Sequence, residues 1–397
     1  MMETARRNTL STGAFLSLGF RPFFLGASVF AVVQVAAWTL IYTFSLSLPM
    51  NGVSPFKWHA HEMVYGYALA VIAGFLLTAA ANWTGRRTVH GLPLLLLFSL
   101  WAAARIAMLA GGDLVAVAAF LDVLFLAALA AAVADPIIRV RAWRQAGILS
   151  KLILLGTGAV MFALGVSGLL APGVHWAVYG GLYLVVGLIL TMGRRVIPLF
   201  IERGVGYPVA LFNARWLDIS SLVLFLAFFV LEVFLGGGAA ARFLAAGVFA
   251  VNCIRLVGWH TPGIWRKPLL WGLYLGFAFV VAGFGLLAVS GFASVSRFVA
   301  LHALAYGGIG LITLSMMARV SLGHTGRDVH DPPRAVARAQ SLLVAGTVFR
   351  VLVPILLPTH YATWVAVSQG LWIAAFALLA VMLAPMLLTP RADAPGE

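Results

Sequence analysis

The chain has 397 residues, of which 62% are hydrophobic and 10% charged, with 26 basic against 12 acidic side chains and a net charge of +14. A water-soluble fold of this length needs far more charge to cover its surface, which excludes that class. The basic excess, which in a soluble protein would point to nucleic acid, is explained here by the positive loops of a membrane protein, so no nucleic-acid partner is expected and the lipid bilayer is.

A helix needs roughly twenty apolar residues to cross the hydrocarbon core. The runs that qualify are 23–45, 60–82, 91–110, 114–134, 149–170, 174–192, 217–235, 240–258, 268–290, 298–318, 339–357 and 363–387. The first run lacks a convincing cleavage site behind it and is expected to stay as a span. Gly111-Gly112-Asp113, Ala171-Pro172-Gly173 and Gly236-Gly237-Gly238 break the runs as tight turns. The predicted fold is therefore an all-α integral membrane protein of about twelve helices. It forms a single polytopic domain over residues 1–397, with its core spans at 23–387. No internal repeat is evident. The single cysteine, Cys253, excludes an internal disulfide and a cysteine-based metal cluster.

Basic residues accumulate on the cytoplasmic side of such proteins. Counting by alternate loops puts 21 of the 26 on one side, beginning with Arg6, Arg7 and Arg21. Lys57, Arg242 and Arg297 fall on the other, while Arg105 and Arg350 lie inside spans. Both termini are expected in the cytoplasm.

This topology sorts the histidines by depth. His59, His61, His175, His302 and His360 fall near the outer face, and His90, His260, His324 and His330 near the inner one. His302 and His324 flank span ten and are separated by roughly 33 Å of helix, so they do not share a metal within one subunit. At α-helical spacing His59 shares a face with Glu62, and His61 with Tyr65. Small residues follow His302: Ala305, Gly307, Gly308 and Gly310. Two histidines from different helices at one depth suit a bis-imidazole haem site. The alternative is that they are ordinary interfacial residues at helix ends.

Arg105 late in span three and Asp122 early in span four either fasten two helices as an ion pair or leave Arg105 to bind a cofactor carboxylate. Arg350 in span eleven has the same second reading, since guanidinium matches a haem propionate in bidentate fashion. Asn252, Arg255 and Trp259 recur at helical spacing, with Arg255 expected to snorkel to the headgroups.

Several segments together resemble the NnrS family of bacterial membrane proteins. They are Gly19-Phe20-Arg21-Pro22-Phe23-Phe24, Trp58-His59-Ala60-His61-Glu62-Met63, Ala73-Gly74-Phe75-Leu76-Leu77-Thr78-Ala79, Asn82-Trp83-Thr84-Gly85-Arg86 and Gly193-Arg194-Arg195-Val196-Ile197-Pro198. His302-Ala303-Leu304 and Ala318-Arg319-Val320-Ser321-Leu322-Gly323-His324-Thr325-Gly326-Arg327 complete the likeness. The resemblance implies a multi-pass protein of the bacterial cytoplasmic membrane that holds haem, of b type, and copper, and serves nitric oxide metabolism or nitrosative-stress defence. It carries over His59, His61, Glu62, His302 and His324 as functional positions, with Arg319 and Arg327 beside the last. A more distant likeness to subunit I of haem–copper oxidases and nitric oxide reductases would make His175 a copper ligand. This chain departs from that pattern in lacking a His-His pair in span seven.

The leading reading is a haem protein that binds or converts nitric oxide, with His302 and one span-two histidine on the iron. His61 is slightly favoured over His59 because its face continues through Tyr65 and Ala68. A multi-span transporter is the alternative, and a haem sensor or assembly factor a third. The sequence names no electron donor.

The census makes a direct test of topology. In a Cys253-free chain, cysteines at Gly112 and Pro358 are expected to react with an impermeant thiol reagent from outside, and one at Arg203 only after permeabilisation. External labelling at 203 would reverse the orientation.

Overall fold

A computed structural model describes residues 11–50, 53–291 and 295–393. Among these are twelve helices long and apolar enough to cross a membrane. They are α1 (Phe20–Tyr42), α2 (Pro55–Thr84), α3 (Leu92–Ala110), α4 (Leu114–Arg139), α5 (Trp143–Val166) and α6 (Gly173–Gly204), followed by α7 (Arg215–Phe234), α8 (Gly238–Trp259), α9 (Pro268–Val289), α10 (Arg297–His324), α11 (Arg334–Leu356) and α12 (Pro358–Leu388). Each predicted run is found. Arg6 and Arg7, used in the charge census, lie outside the described residues.

The boundaries differ mainly where helices outrun their apolar stretch. α6 continues to Gly204 through Arg194, Arg195 and Arg203, well past the predicted end at 192. α10 continues to His324 and α4 to Arg139, where Asp135 accepts a hydrogen bond from Arg139 one turn later. Hydropathy marks only the part of a helix that lipid must cover, whereas helical hydrogen bonding continues into polar sequence. At the starts, Ser54 accepts from the Lys57 amide with Pro55 in the first turn of α2, and Ser296 caps α10 in the same way through Phe298.

α2 and α10 are the most enclosed helices, with 89% and 83% of their apolar stretch buried, against 28–61% for the others. Both leave the α-helical register shortly after their first turns. Glu62–Ala68 in α2 and Ala303–Gly310 in α10 are π-helical, as is Val348–Leu352 in α11. Such wide turns concentrate at functional sites.

The chain divides into two compact units. The first comprises residues 1–184, 319–328 and 376–397. In it α1 packs along α2, and Gly66 sits in that contact. A Cβ there would run into the Phe30 ring and stand 3.1 Å from Arg105 Cδ. Trp101 Nε1 of α3 donates to the Gly66 carbonyl at 2.9 Å, using an acceptor that the π-turn leaves accessible. Arg21, 2% exposed, donates through Nη1 to the carbonyls of Leu387 and Thr389, so its guanidinium caps the end of α12.

The second unit comprises residues 185–318 and 329–375. α7, α8 and α9 pack in sequence order, and α9 packs on the π-turn of α10. Arg255 does not snorkel. It is 2% exposed and donates to Asn252 Oδ1 and Asp218 Oδ1, both at 2.9 Å, with its guanidinium carbon 5.7 Å from the Trp259 ring centre. Asp218 comes from α7 and also pairs with Arg194 of α6. Spacing along α8 alone could not reveal that counter-charge.

Candidate functional site

The first unit holds a buried polar group among apolar helices. His61 and Glu62 are completely inaccessible, Asp122 is 1% exposed and Arg105 3%. Arg105 donates through Nη1 to Glu62 Oε1 and through Nη2 to Asp122 Oδ1. His61 Nδ1 meets Glu62 Oε1 at 2.9 Å, and its Nε2 faces Asp122 Oδ2 at 3.6 Å. The imidazole ring is stacked on Phe162 of α5, with centroids 3.8 Å apart, and faces Tyr65 at 4.9 Å. Tyr65 in turn donates to the Ala177 carbonyl of α6 at 3.1 Å. Three helices, α2, α3 and α4, are thereby tied by charge at one point. Of the two readings for Arg105, the ion pair is the one formed, and it extends to Glu62.

The shared face expected of His59 and Glu62 is replaced by a contact between neighbours, His61 and Glu62. The π-turn starts at Glu62, so α-helical spacing no longer holds across it. His59 is half-buried. Its Nδ1 lies 3.0 Å from Gln34 Nε2, and its ring stacks on Trp38 at 4.5 Å with a 14° tilt. His175, also half-buried, has its ring 4.6 Å from Tyr179 one turn later.

In the second unit His302 donates from Nδ1 to the Phe298 carbonyl at 2.7 Å, and its Nε2 lies 3.0 Å from Arg350 Nη2. With Nδ1 carrying the proton, the Nε2 lone pair accepts from the guanidinium. Arg350 also donates to the Tyr361 hydroxyl at 3.0 Å and lies over that ring. The two candidates His302 and Arg350 are thus brought together. Tyr361, which the sequence reading passed over, completes the group from the first turns of α12, and no sequence signal singles it out.

The motif at the C-terminal end of α10 is built differently. The His324 ring packs 5.6 Å from Phe20, and its carbonyl accepts from Arg391 at 3.5 Å. Ala392 donates its amide to the Thr325 carbonyl at 3.0 Å, and Arg327 Nη1 donates to the same oxygen at 3.3 Å. Gly326 has φ +74°, a conformation in which a side chain is strained. Arg391 pairs with Asp393 at 2.7 Å, and its hydrogen bond holds the Asp393 carboxyl below the ordinary carboxylate range. Arg319 is half-buried nearby in the chain. These contacts fasten the C-terminal segment to the end of α10. Among the described residues no three His, Cys, Asp or Glu side chains are placed to hold a metal ion.

Two predictions follow from this geometry. Arg105→Met leaves two buried carboxylates uncompensated and should cost about 3–5 kcal/mol of stability. Adding Glu62→Gln and Asp122→Asn should recover much of that loss in thermal unfolding. Recovery absent in the triple variant would mean that Arg105 acts through packing rather than charge. His324→Ala, in contrast, should leave nearly intact the haem content expected from the family resemblance, and complete loss of haem would overturn the separation of the two ends of α10.

No curated protein matches this chain. A family model described as NnrS protein matches residues 14–391, a stretch that takes in all twelve helices and both histidine-bearing motifs. The chain belongs to the NnrS family.

Proposed function

We propose that this multi-pass membrane protein binds haem in the outer half of its helices through His302, and that nitric oxide is the ligand it meets there. The observation that carries the reading is the tautomer of His302. Its Nδ1–H is committed to the Phe298 carbonyl, which orients the ring and leaves the Nε2 lone pair for iron. The neighbouring Arg350 supplies a cation for a propionate once Nε2 is taken. Haem iron, when bound, supplies a site for a diatomic ligand at its open or displaceable axial position.

Of the span-two histidines, His59 suits a ligand role better than His61. His61 has both nitrogens directed at carboxylates and a phenyl ring against its face, so a metal would have to displace a packed core. His59 is half-buried, and its Nδ1 lies against the neutral amide of Gln34. The described residues bring together no trio of donors for copper, so the proposal stops at haem. A place in the bacterial cytoplasmic membrane with both termini inside belongs to the same reading, supported by the family and the charge census.

The test is spectroscopic. His302→Ala, His59→Ala and His61→Ala are each purified and their Soret band and haem-to-protein ratio recorded. His302→Ala should lose most of its haem. His59→Ala should alter the band if that residue is a ligand, whereas His61→Ala should mainly lower thermal stability. Unchanged spectra in both His302→Ala and His59→Ala would place the cofactor elsewhere, and wild-type protein without haem would remove the reading altogether.

A further inference from the structure

The two enclosed helices share more than a π-turn. His61, Tyr65 and Gly66 in α2 correspond to His302, Tyr306 and Gly307 in α10, and Thr84-Gly85-Arg86 corresponds to Thr325-Gly326-Arg327, all 241 residues apart. The likeness extends to both sides. Arg21-Pro22 in the first turn of α1 matches Lys267-Pro268 at the start of α9, and both precede a Gly four residues after the Pro. Val89-His90 and Pro93 before α3 match Val329-His330 and Pro333 before α11. Gly85 and Gly326 both end their helices with positive φ, +66° and +74°. Tyr65 and Tyr306 both donate to a backbone carbonyl of another helix, Ala177 and Ser368. We read these matches as two copies of one segment, α1–α3 and α9–α11, kept at too few positions for hydropathy to show a repeat.

Arg105 in α3 and Arg350 in α11 both lie in the last two turns of the helix that follows the histidine-bearing one, with Arg350 five residues further along when Pro93 is aligned with Pro333. Each is aimed at the histidine turn: Arg105 at Glu62, and Arg350 at His302 itself. Their counter-charges differ completely. Arg105 holds two carboxylates, Glu62 and Asp122. The residue that corresponds to Glu62 in the second copy is Ala303, buried with Val299 and Val351. Among the described residues no carboxylate forms an ion pair with Arg350, whose hydrogen-bond partners are neutral. A guanidinium held in the outer part of a span by neutral groups is a cation prepared for an anion.

We propose that Arg350, with Tyr361 and His302, forms an anion site for a carboxylate or small oxyanion, which takes the place that Glu62 fills in the first copy. Guanidinium and phenol donate to the anion, and the fork of Arg350 favours a planar, two-oxygen group. The anion has two possible sources, a propionate of bound haem or a free oxyanion such as nitrite. The site stands whether or not His302 carries iron.

The experiment has one arm for each source. Sodium nitrite is titrated calorimetrically into haem-free full-length protein in detergent. Separately, the protein is reconstituted with haem or with haem dimethyl ester, whose propionates are blocked. A free-anion site gives saturable nitrite binding that Arg350→Gln weakens at least tenfold. A propionate site gives at least a tenfold preference for haem over its diester that Arg350→Gln abolishes. Ala303→Glu, which restores the carboxylate of the first copy, should suppress either signal while keeping Arg350, and it carries the test should Arg350→Gln not fold. Nitrite binding or ester discrimination that both variants leave unchanged, or the absence of both signals in the wild type, overturns the proposal.

Discussion

The guanidinium of Arg105 is the point on which the first unit depends. It neutralises Glu62 and Asp122 where no water is available, and so joins α2, α3 and α4 through charge rather than through packing alone. Lipid is as apolar as leucine, so association of membrane helices gains little from hydrophobic burial and relies on polar contacts and close fit. His61 fits within this arrangement as a further donor to Glu62 and is covered by Phe162. The same charge logic appears in the second unit around Asp218, which gathers Arg194 and Arg255 from two other helices.

The repeat gives these groups a common frame. The two matching segments keep the histidine, the tyrosine one turn later, the π-turn and the positive-φ glycine at the far end. They differ in what faces the arginine. One copy pairs its arginine with two acids, and in the other, among the described residues, Arg350 forms no ion pair with a carboxylate. The same His-x-x-x-Tyr-Gly pattern occurs once more at His175, Tyr179 and Gly180 in α6, where the helix keeps its α register.

Much of this architecture is legible in the sequence because lipid imposes a one-dimensional rule. Twenty apolar residues make a span regardless of partners, so all twelve helices could be found from hydropathy. Boundaries were harder because helices such as α6 run on into arginine-rich sequence that the rule does not see. The pairing of Arg105 with Asp122 was open to inference, since a tight turn brings spans three and four together. The contact of His61 with Glu62 was not, because a π-turn starts there and breaks the spacing from which faces are read, and Tyr361 was not, because it reaches Arg350 from another helix. Arg255 failed for a related reason: its partner Asp218 comes from another helix.

The π-turns also have a consequence for how such a chain can change. An α-helix turns about 100° per residue, so one residue inserted into or deleted from an ordinary span throws every later side chain onto a different face. A wide turn stores that extra residue locally. In α2 the phase of His61 is thus set separately from the phase of Thr84-Gly85-Arg86 at the other end, and α10 repeats the arrangement. The histidine-bearing end of each helix can acquire a new partner by a shift in register while the Thr-Gly-Arg end keeps its docking.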